Sequence, residues 1–244
     1  MKFFEGKNAL VVGGSGGIGS VLSLFLAEQG ARLVVHGGHS SEKFSALMEK
    51  ITTHSPDSVA CVQHFCAERF SELESSDVAR YARECDVLCV CHGPFVQKSL
   101  DNTSLADWQN LALFDYALPG FLVSSALPNM IEKKWGRILL FGGTGTERRS
   151  VYQTNAAYAG AKSALNVLVH SVAARYASLG ITCNAVLPGF TQTEYTSSPE
   201  LLAEKMPGKT MLSPETVASA AMDLLKNPCL NGVLLPVDQG WSPA

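Results

Sequence analysis

Asn8-Ala-Leu-Val-Val12 runs into Gly13-Gly-Ser-Gly-Gly17-Ile-Gly19 and then into Ser20-Val-Leu-Ser-Leu-Phe-Leu-Ala-Glu-Gln29. The first piece is short and almost wholly apolar, the pattern of a strand buried on both faces. The last is an amphipathic helix that Gly30 stops. Strand, glycine turn, helix is the context in which a glycine motif binds a dinucleotide. Glycine at 13, 17 and 19 lets the turn reverse tightly and lets the backbone approach a pyrophosphate, whose charge the helix N-terminus favours. Ser15, Gly16 and Ile18 belong to the same turn and are expected at the cofactor with it.

The rest of the chain repeats that alternation. Arg32–His36, Val59–Phe65, Asp86–Cys91, Gly136–Phe141, Ile181–Leu187 and Val233–Val237 read as further strands. Helical periodicity fills Glu42–His54, Phe70–Arg83, Leu105–Met130 with a bend at Pro119, the Tyr158 region to about Leu179, and Pro214–Lys226. Pro199–Gly208 reads as a mobile segment or small helices. Strands alternating with helices call for an α/β architecture: a doubly wound, mostly parallel seven-stranded sheet with helices on both faces, in three layers. With no linker and no repeat, residues 1–244 are expected to form one domain, its substrate site built from the C-terminal half.

In such a sheet the ligand lies beyond the carboxyl ends of the strands. Those ends carry Gly13–Gly19, His36–Ser41, Cys91–Gly93, Gly142–Thr146 and Pro188–Thr193. The helix holding Tyr158-Ala-Gly-Ala-Lys162 starts from the same edge. Residues four apart share a helix face, so a phenol and an ammonium sit side by side. An ordinary Tyr titrates near ~10, and a neighbouring cation is expected to pull that down into a range useful for proton transfer. Taken alone the pair reads more readily as two solvated residues; the convergence of strand ends makes it a candidate site.

Composition excludes other classes. Apolar residues make up 46% and charged residues 17%, with a net charge of -3, which argues against a nucleic-acid surface. No apolar run reaches the ~18 residues a membrane span needs, and charges interrupt the first residues, so neither a membrane protein nor a secretory signal is expected. Seven cysteines lack the spacing of a zinc site. They read as free thiols in a reducing cytoplasm, and no metal is expected.

The second strand ends at His36-Gly-Gly-His39-Ser40-Ser41, with no acid before Glu42. An acid there would bind a ribose diol and repel a 2′-phosphate. Its absence, with His39, Ser40 and Ser41 as donors, favours NADP over NAD.

In this order and spacing, Gly13-x-x-x-Gly17-Ile-Gly19, Trp108, Tyr158-x-x-x-Lys162-Ser-Ala, Asn184-Ala-Val-x-Pro188-Gly189-x-x-x-Thr193 and Val237-Asp238-x-Gly240 resemble the short-chain dehydrogenase/reductase family over essentially the whole chain. The resemblance implies a Rossmann fold, a nicotinamide cofactor and hydride transfer between a carbonyl and an alcohol. It implies Tyr158 as general acid/base and Lys162 as the residue that holds the nicotinamide ribose and lowers the Tyr pKa. Pro188, Gly189, Thr191 and Thr193 would meet the nicotinamide end, and His92 and Gly93 would lie at the cofactor. A 3-oxoacyl-carrier-protein-reductase-like role is one option, with Arg148 and Arg149 its only extra hint of an acidic partner. The apolar helices around Ala112–Met130 and Ala156–Ala177 imply a homotetramer or homodimer.

Departures from the family pattern are as informative. Val90-Cys91-His92-Gly93 stands where Asn-Asn-Ala-Gly is usual, Asp115 falls where an Asn ends the usual proton relay, and Cys66-Ala67 replaces an Asp near the adenine. The catalytic Ser position falls on Gly143 or Gly145, which makes Thr144 the first candidate replacement and Thr146 the second. The sequence therefore supports an NAD(P)-dependent oxidoreductase. The alternative is a non-catalytic or weakly active nucleotide-binding homologue acting as a sensor or scaffold.

Overall fold

The structure is a computed structural model that describes residues 2–241. Strands β1 (Asn8–Val12), β2 (Arg32–Gly37), β3 (Val59–Val62), β4 (Val87–Val90), β5 (Gly136–Phe141), β6 (Ile181–Pro188) and β7 (Leu234–Val237) form one sheet. Its order is β3-β2-β1-β4-β5-β6-β7, and every pairing is parallel. The expected mostly parallel sheet is thus parallel throughout. Leu10 sits in register with Val34 on one side and Leu88 on the other, which puts the central strand between two apolar neighbours.

Alternation along the strands divides the core. Ala9, Val11, Val35, Cys89 and Leu139 face one side, packed by α1 (Gly17–Glu28), α2 (Glu42–His54) and α8 (Pro214–Lys226). Leu10, Val12, Leu88, Val90 and Leu140 face the other, packed by α3 (Asp77–Glu84), α5 (Leu118–Lys133) and α6 (Ala156–Tyr176). Burial on both faces explains why these strands read as continuous apolar runs.

Three boundaries differ from expectation. The helix expected over Phe70–Arg83 is two pieces, a 3-10 segment Ala67–Ser75 followed by α3. Ser76 divides them because its side chain accepts from the Ala79 amide and starts a new helix there. The strand expected to reach Phe65 stops at Val62, as suits a half-exposed edge strand. The bend expected at Pro119 is a π-turn, Leu113–Ala117, placed between α4 (Leu105–Ala112) and α5. Proline without an N–H frees a carbonyl one turn back, and a wider turn absorbs the defect. The resulting rod, Leu105–Lys133, contains an 18-residue stretch of mean hydropathy 1.3 and is long and apolar enough to cross a membrane by length and composition. Here Leu111, Phe114, Leu118 and Leu122 are buried, the last three in the second core. Between β6 and α8 lies a short helix, α7 (Pro199–Lys205), with no buried residue.

Candidate active site

A parallel sheet puts all its strand ends on one edge, and the loops there converge. The glycine turn is tight because side chains are excluded. A Cβ on Gly19 would lie 2.2 Å from the Gly13 carbonyl oxygen, and one on Gly13 would lie 2.7 Å from the His92 amide. Gly13 also takes a left-handed φ of +76°. Helix α1 begins at Gly17 itself, three residues earlier than its apolar pattern suggests, and its N-cap Gly16 supplies no side-chain oxygen. The first amides of the helix are therefore left for an anion.

His36, at the end of β2, holds this turn from below. Its Nδ1 accepts from the Gly13 N–H at 3.1 Å and its Nε2 faces the Gln63 carbonyl at 2.8 Å. Accepting at one nitrogen and donating at the other fixes the neutral tautomer. Burial pushes its pKa down to about 4, against a partial rise from the Gln63 bond. Burial pushes the His92 pKa down to about 4 as well, helped by the charges of His36, Lys162 and His64. His92 stands edge-on to Phe65 and Phe114, at 5.2 and 6.0 Å, so its ring is part of an aromatic cluster. Among the residues expected at the adenosine end, His39 and Ser40 are exposed, and Ser41 caps α2 by accepting from the Phe44 amide.

On α6, Tyr158 and Lys162 share a face, with the ammonium 5.8 Å from the phenol ring centre. Phe95 stands edge-on to the Tyr158 ring at 4.9 Å. Lys162 donates to the Phe141 carbonyl at 2.9 Å and pairs with Asp115 Oδ1 at 2.9 Å. Asp115 comes from the π-turn and is completely buried; its Oδ2 has no hydrogen-bond partner. Gly93 is what allows the pair to close, since a Cβ there would lie 2.1 Å from Asp115 Oδ1 and 3.0 Å from Lys162 Nζ. Burial raises the Asp115 carboxyl above its usual range, and Lys162 offsets part of that rise.

This arrangement corrects one expectation. Lys162 was to lower the Tyr158 pKa, yet the phenol titrates above its ordinary value. Burial is the main cause, and the negative charges of Asp115 and Tyr152 add to it. With a carboxylate at 2.9 Å, the Lys162 charge is largely cancelled before it reaches the phenol.

Gly143 is one of the two positions, with Gly145, at which the family Ser is expected. A Cβ built on Gly143 would lie 3.1 Å from Tyr158 Cε1 and 3.5 Å from its hydroxyl. Thr144 donates its hydroxyl to the Pro188 carbonyl at 2.7 Å, a bond it would have to release to polarise a substrate. Thr146 is buried and donates to the Gly143 carbonyl at 2.8 Å. Tyr158, Thr144, Tyr152, Gly189, Thr193 and Ile18 line one cleft of about 740 Å³. The cleft thus spans from the glycine turn to the phenol. Pro188 and Thr191 line it too.

The profile of the short chain dehydrogenases matches residues 7–201. The chain belongs to that family. It is 31% identical over 240 residues to the 3-oxoacyl-[acyl-carrier-protein] reductase of Synechocystis sp., covering 95% of each chain. A solved short chain dehydrogenase/reductase family protein superposes with a TM-score of 0.81 at 26% identity, covering 98% of each chain. The 3-oxoacyl (acyl-carrier-protein) reductase of Agrobacterium tumefaciens, solved with NADP bound, shares the fold with a TM-score of 0.85 at 23% identity, covering 98% of this chain and 96% of that one. As a short chain dehydrogenase the chain is an oxidoreductase acting on CH–OH groups, built on the family's NAD(P)-binding fold.

Sequence reasoning overlooked several residues near this short chain dehydrogenase's cleft. His36 carried a signal, a polar residue ending an apolar strand that no solvent face required. Glu194 carried another, as the acid directly after Thr193; its carboxylate accepts from the Gly17 N–H. Tyr152, whose hydroxyl reaches the Thr144 carbonyl at 3.5 Å, lies in a loop without periodicity and carried none. Arg148, read as a hint of an acidic partner, lies 3.4 Å from Glu147 and 3.8 Å from Asp238, so its charge is partly spent inside the chain.

Proposed function

We propose that the chain is an NADP-dependent dehydrogenase or reductase of small carbonyl and alcohol substrates, with Tyr158 as the group that moves the proton. One observation carries this: Tyr158 and the start of α1 open onto the same cleft of about 740 Å³. The cofactor fits the residues present. The α1 N-terminus has no N-cap side chain of its own, its Gly17 amide resting on Glu194, and Gly13 and Gly16 leave bare backbone where a side chain would intrude. Ile18, Gly93, Pro188, Gly189, Thr191 and Thr193 complete its walls in this reading, with Ser15 under the loop after β2. Lys162 holds the nicotinamide ribose hydroxyls. The bound nicotinamide supplies or accepts the hydride.

Everything else falls to this chain's side chains. In reduction, Tyr158 donates its proton to the substrate oxygen; a phenol held in its neutral form by burial suits that direction. Without a Ser at 143, carbonyl polarisation falls to Tyr158, helped by Thr144 if its bond to Pro188 opens. A donor lost from such a site costs ~10²–10³ in rate, so a slow enzyme is expected. The absence of an acid after β2 supports NADP over NAD. We also read the 244 residues as one domain acting in the cytoplasm, as a homodimer or homotetramer through the apolar faces of α5 and α6. A 3-oxoacyl thioester is the first substrate class to try, since the Synechocystis relative is a reductase of that kind.

A second reading, a nucleotide-binding homologue with little or no turnover, draws on Gly143 and on the buried Asp115–Lys162 pair. NADPH oxidation over a panel of carbonyls, with Tyr158→Phe beside the wild type, separates the two. Turnover that falls ~10²-fold or more in the variant supports the enzyme. Tight NADPH binding with no turnover on any carbonyl supports the second reading.

A further inference from the structure

The carboxylate of Glu194 lies across the mouth of the glycine turn. Both its oxygens are 3.2 Å from the Gly17 N–H, at the start of α1. Its Oε1 is also 2.9 Å from Lys43 Nζ, on the first turn of α2. A Cβ on Gly16 would lie 2.5 Å from Glu194 Oε1 and 2.6 Å from the Tyr195 hydroxyl. The tips of two consecutive side chains therefore rest on bare glycine backbone. A helix start whose N-cap lacks a side-chain oxygen attracts an anion. Here the chain supplies one of its own.

The segment that carries Glu194 is attached at its ends, and between them it is held by the Thr196 hydroxyl, which accepts from the Thr193 amide and donates to the Thr191 carbonyl. At one end Gln192 donates its amide to the Leu212 carbonyl, and Leu212 donates to Phe190, both at 2.9 Å. At the other, Met206 is fully buried. Between them Tyr195 is 76% exposed and α7 buries no side chain. Ser198, a non-glycine residue, holds a left-handed φ of +52°. Lifting residues 194–198 uncovers little apolar area, so the hydrophobic cost of doing so is small.

We propose that Glu194 is a built-in competitor for the cofactor's phosphates, and that Lys43 is the cation exchanged between them. This rests on the glycine turn being the cofactor's phosphate site. A carboxylate left at Gly17 would stand against an incoming phosphate of the same sign, so the two cannot share the position. Entry of the dinucleotide therefore lifts the 194–198 strap. The Gly17 amide and Lys43 pass from a carboxylate to a phosphate, without either being left unpaired. Lys43 also sits just past the His39–Ser41 loop, where it supplies the positive charge that the loop itself lacks.

Dissociation constants for NADPH and NADH, measured by calorimetry on the wild type, Glu194→Gln, Lys43→Gln and the double variant, test this. Glu194→Gln keeps the shape and removes the charge, and both dinucleotides should bind about 3- to 10-fold more tightly. That gain should vanish in the double variant for NADPH, with or without NADH. Lys43→Gln in the Glu194→Gln background also names the phosphate: a loss for NADPH alone points to the 2′-phosphate, an equal loss for both points to the pyrophosphate. Unchanged or weaker binding in Glu194→Gln overturns the competitor, and a gain retained for both dinucleotides in the double variant overturns the role of Lys43. If the wild type and every variant bind neither dinucleotide, the cofactor reading itself fails, an outcome distinct from the other two.

Discussion

Tyr158 lies under Phe95 beside a neutralised ammonium, and its chemistry follows from that setting. Asp115 is one of the groups that raise its pKa. Asp115→Asn removes that negative charge and leaves the Lys162 charge less cancelled, so the phenolate forms at lower pH. The rising limb of kcat/KM against pH for alcohol oxidation should move to lower pH in this variant; an unmoved or raised limb contradicts the account. Gly143→Ser places a hydroxyl beside the phenol, with its Cβ 3.1 Å from Tyr158 Cε1, a contact the ring relieves by shifting a few tenths of an ångström. Carbonyl reduction should rise by at least about 10-fold, part of what an oxyanion donor is worth. His36 makes a prediction for stability. Its folded pKa is about 4, below the unfolded 6.5, so protons bind the unfolded chain more strongly between those values. Stability is complete above about 6.5, falls as pH drops by up to about 1.4 kcal/mol per unit per histidine, and levels off below about 4. His92 behaves alike. Urea midpoints at pH 7 and pH 5 measure the slope, and His36→Asn should reduce it.

At the scale of elements, the site depends on where helices start. Helix α1 starts inside its glycine turn, α3 starts at Ser76, and α5 follows a π-turn that delivers Asp115 to Lys162. Strands β1, β4 and β5 were legible in the sequence because they are buried on both faces, which leaves nearly continuous apolar runs. The Asp115–Lys162 pair was not, because it joins residues 47 apart through an irregular turn and a glycine from a third loop. Periodicity says nothing about a π-turn. For the same reason the direction of the Tyr158 shift was misread: spacing on α6 places the ammonium, but the carboxylate that cancels it arrives from elsewhere in the chain.

For the whole molecule, a parallel sheet brings every loop of interest to one edge, and the family follows from that edge together with the matched 7–201 profile. Substrate identity was not legible, because the walls around Tyr152, Tyr195 and Leu202 come from segments without periodicity. Val167 on α6, and Trp108 and Tyr116 on the rod Leu105–Lys133, are 66%, 44% and 44% exposed. Apolar surface of this kind favours association. Light scattering at micromolar concentration should give the mass of a dimer or tetramer, and a monomer mass would contradict that. The central claim is that Tyr158 moves a proton during hydride transfer with a nicotinamide. Its most direct test is NADPH oxidation by wild type and Tyr158→Phe across a carbonyl panel that includes 3-oxoacyl thioesters. The account predicts turnover on at least one carbonyl, lowered ~10²-fold or more in the variant while NADPH binding stays within a few-fold. Equal turnover in the two proteins would contradict it.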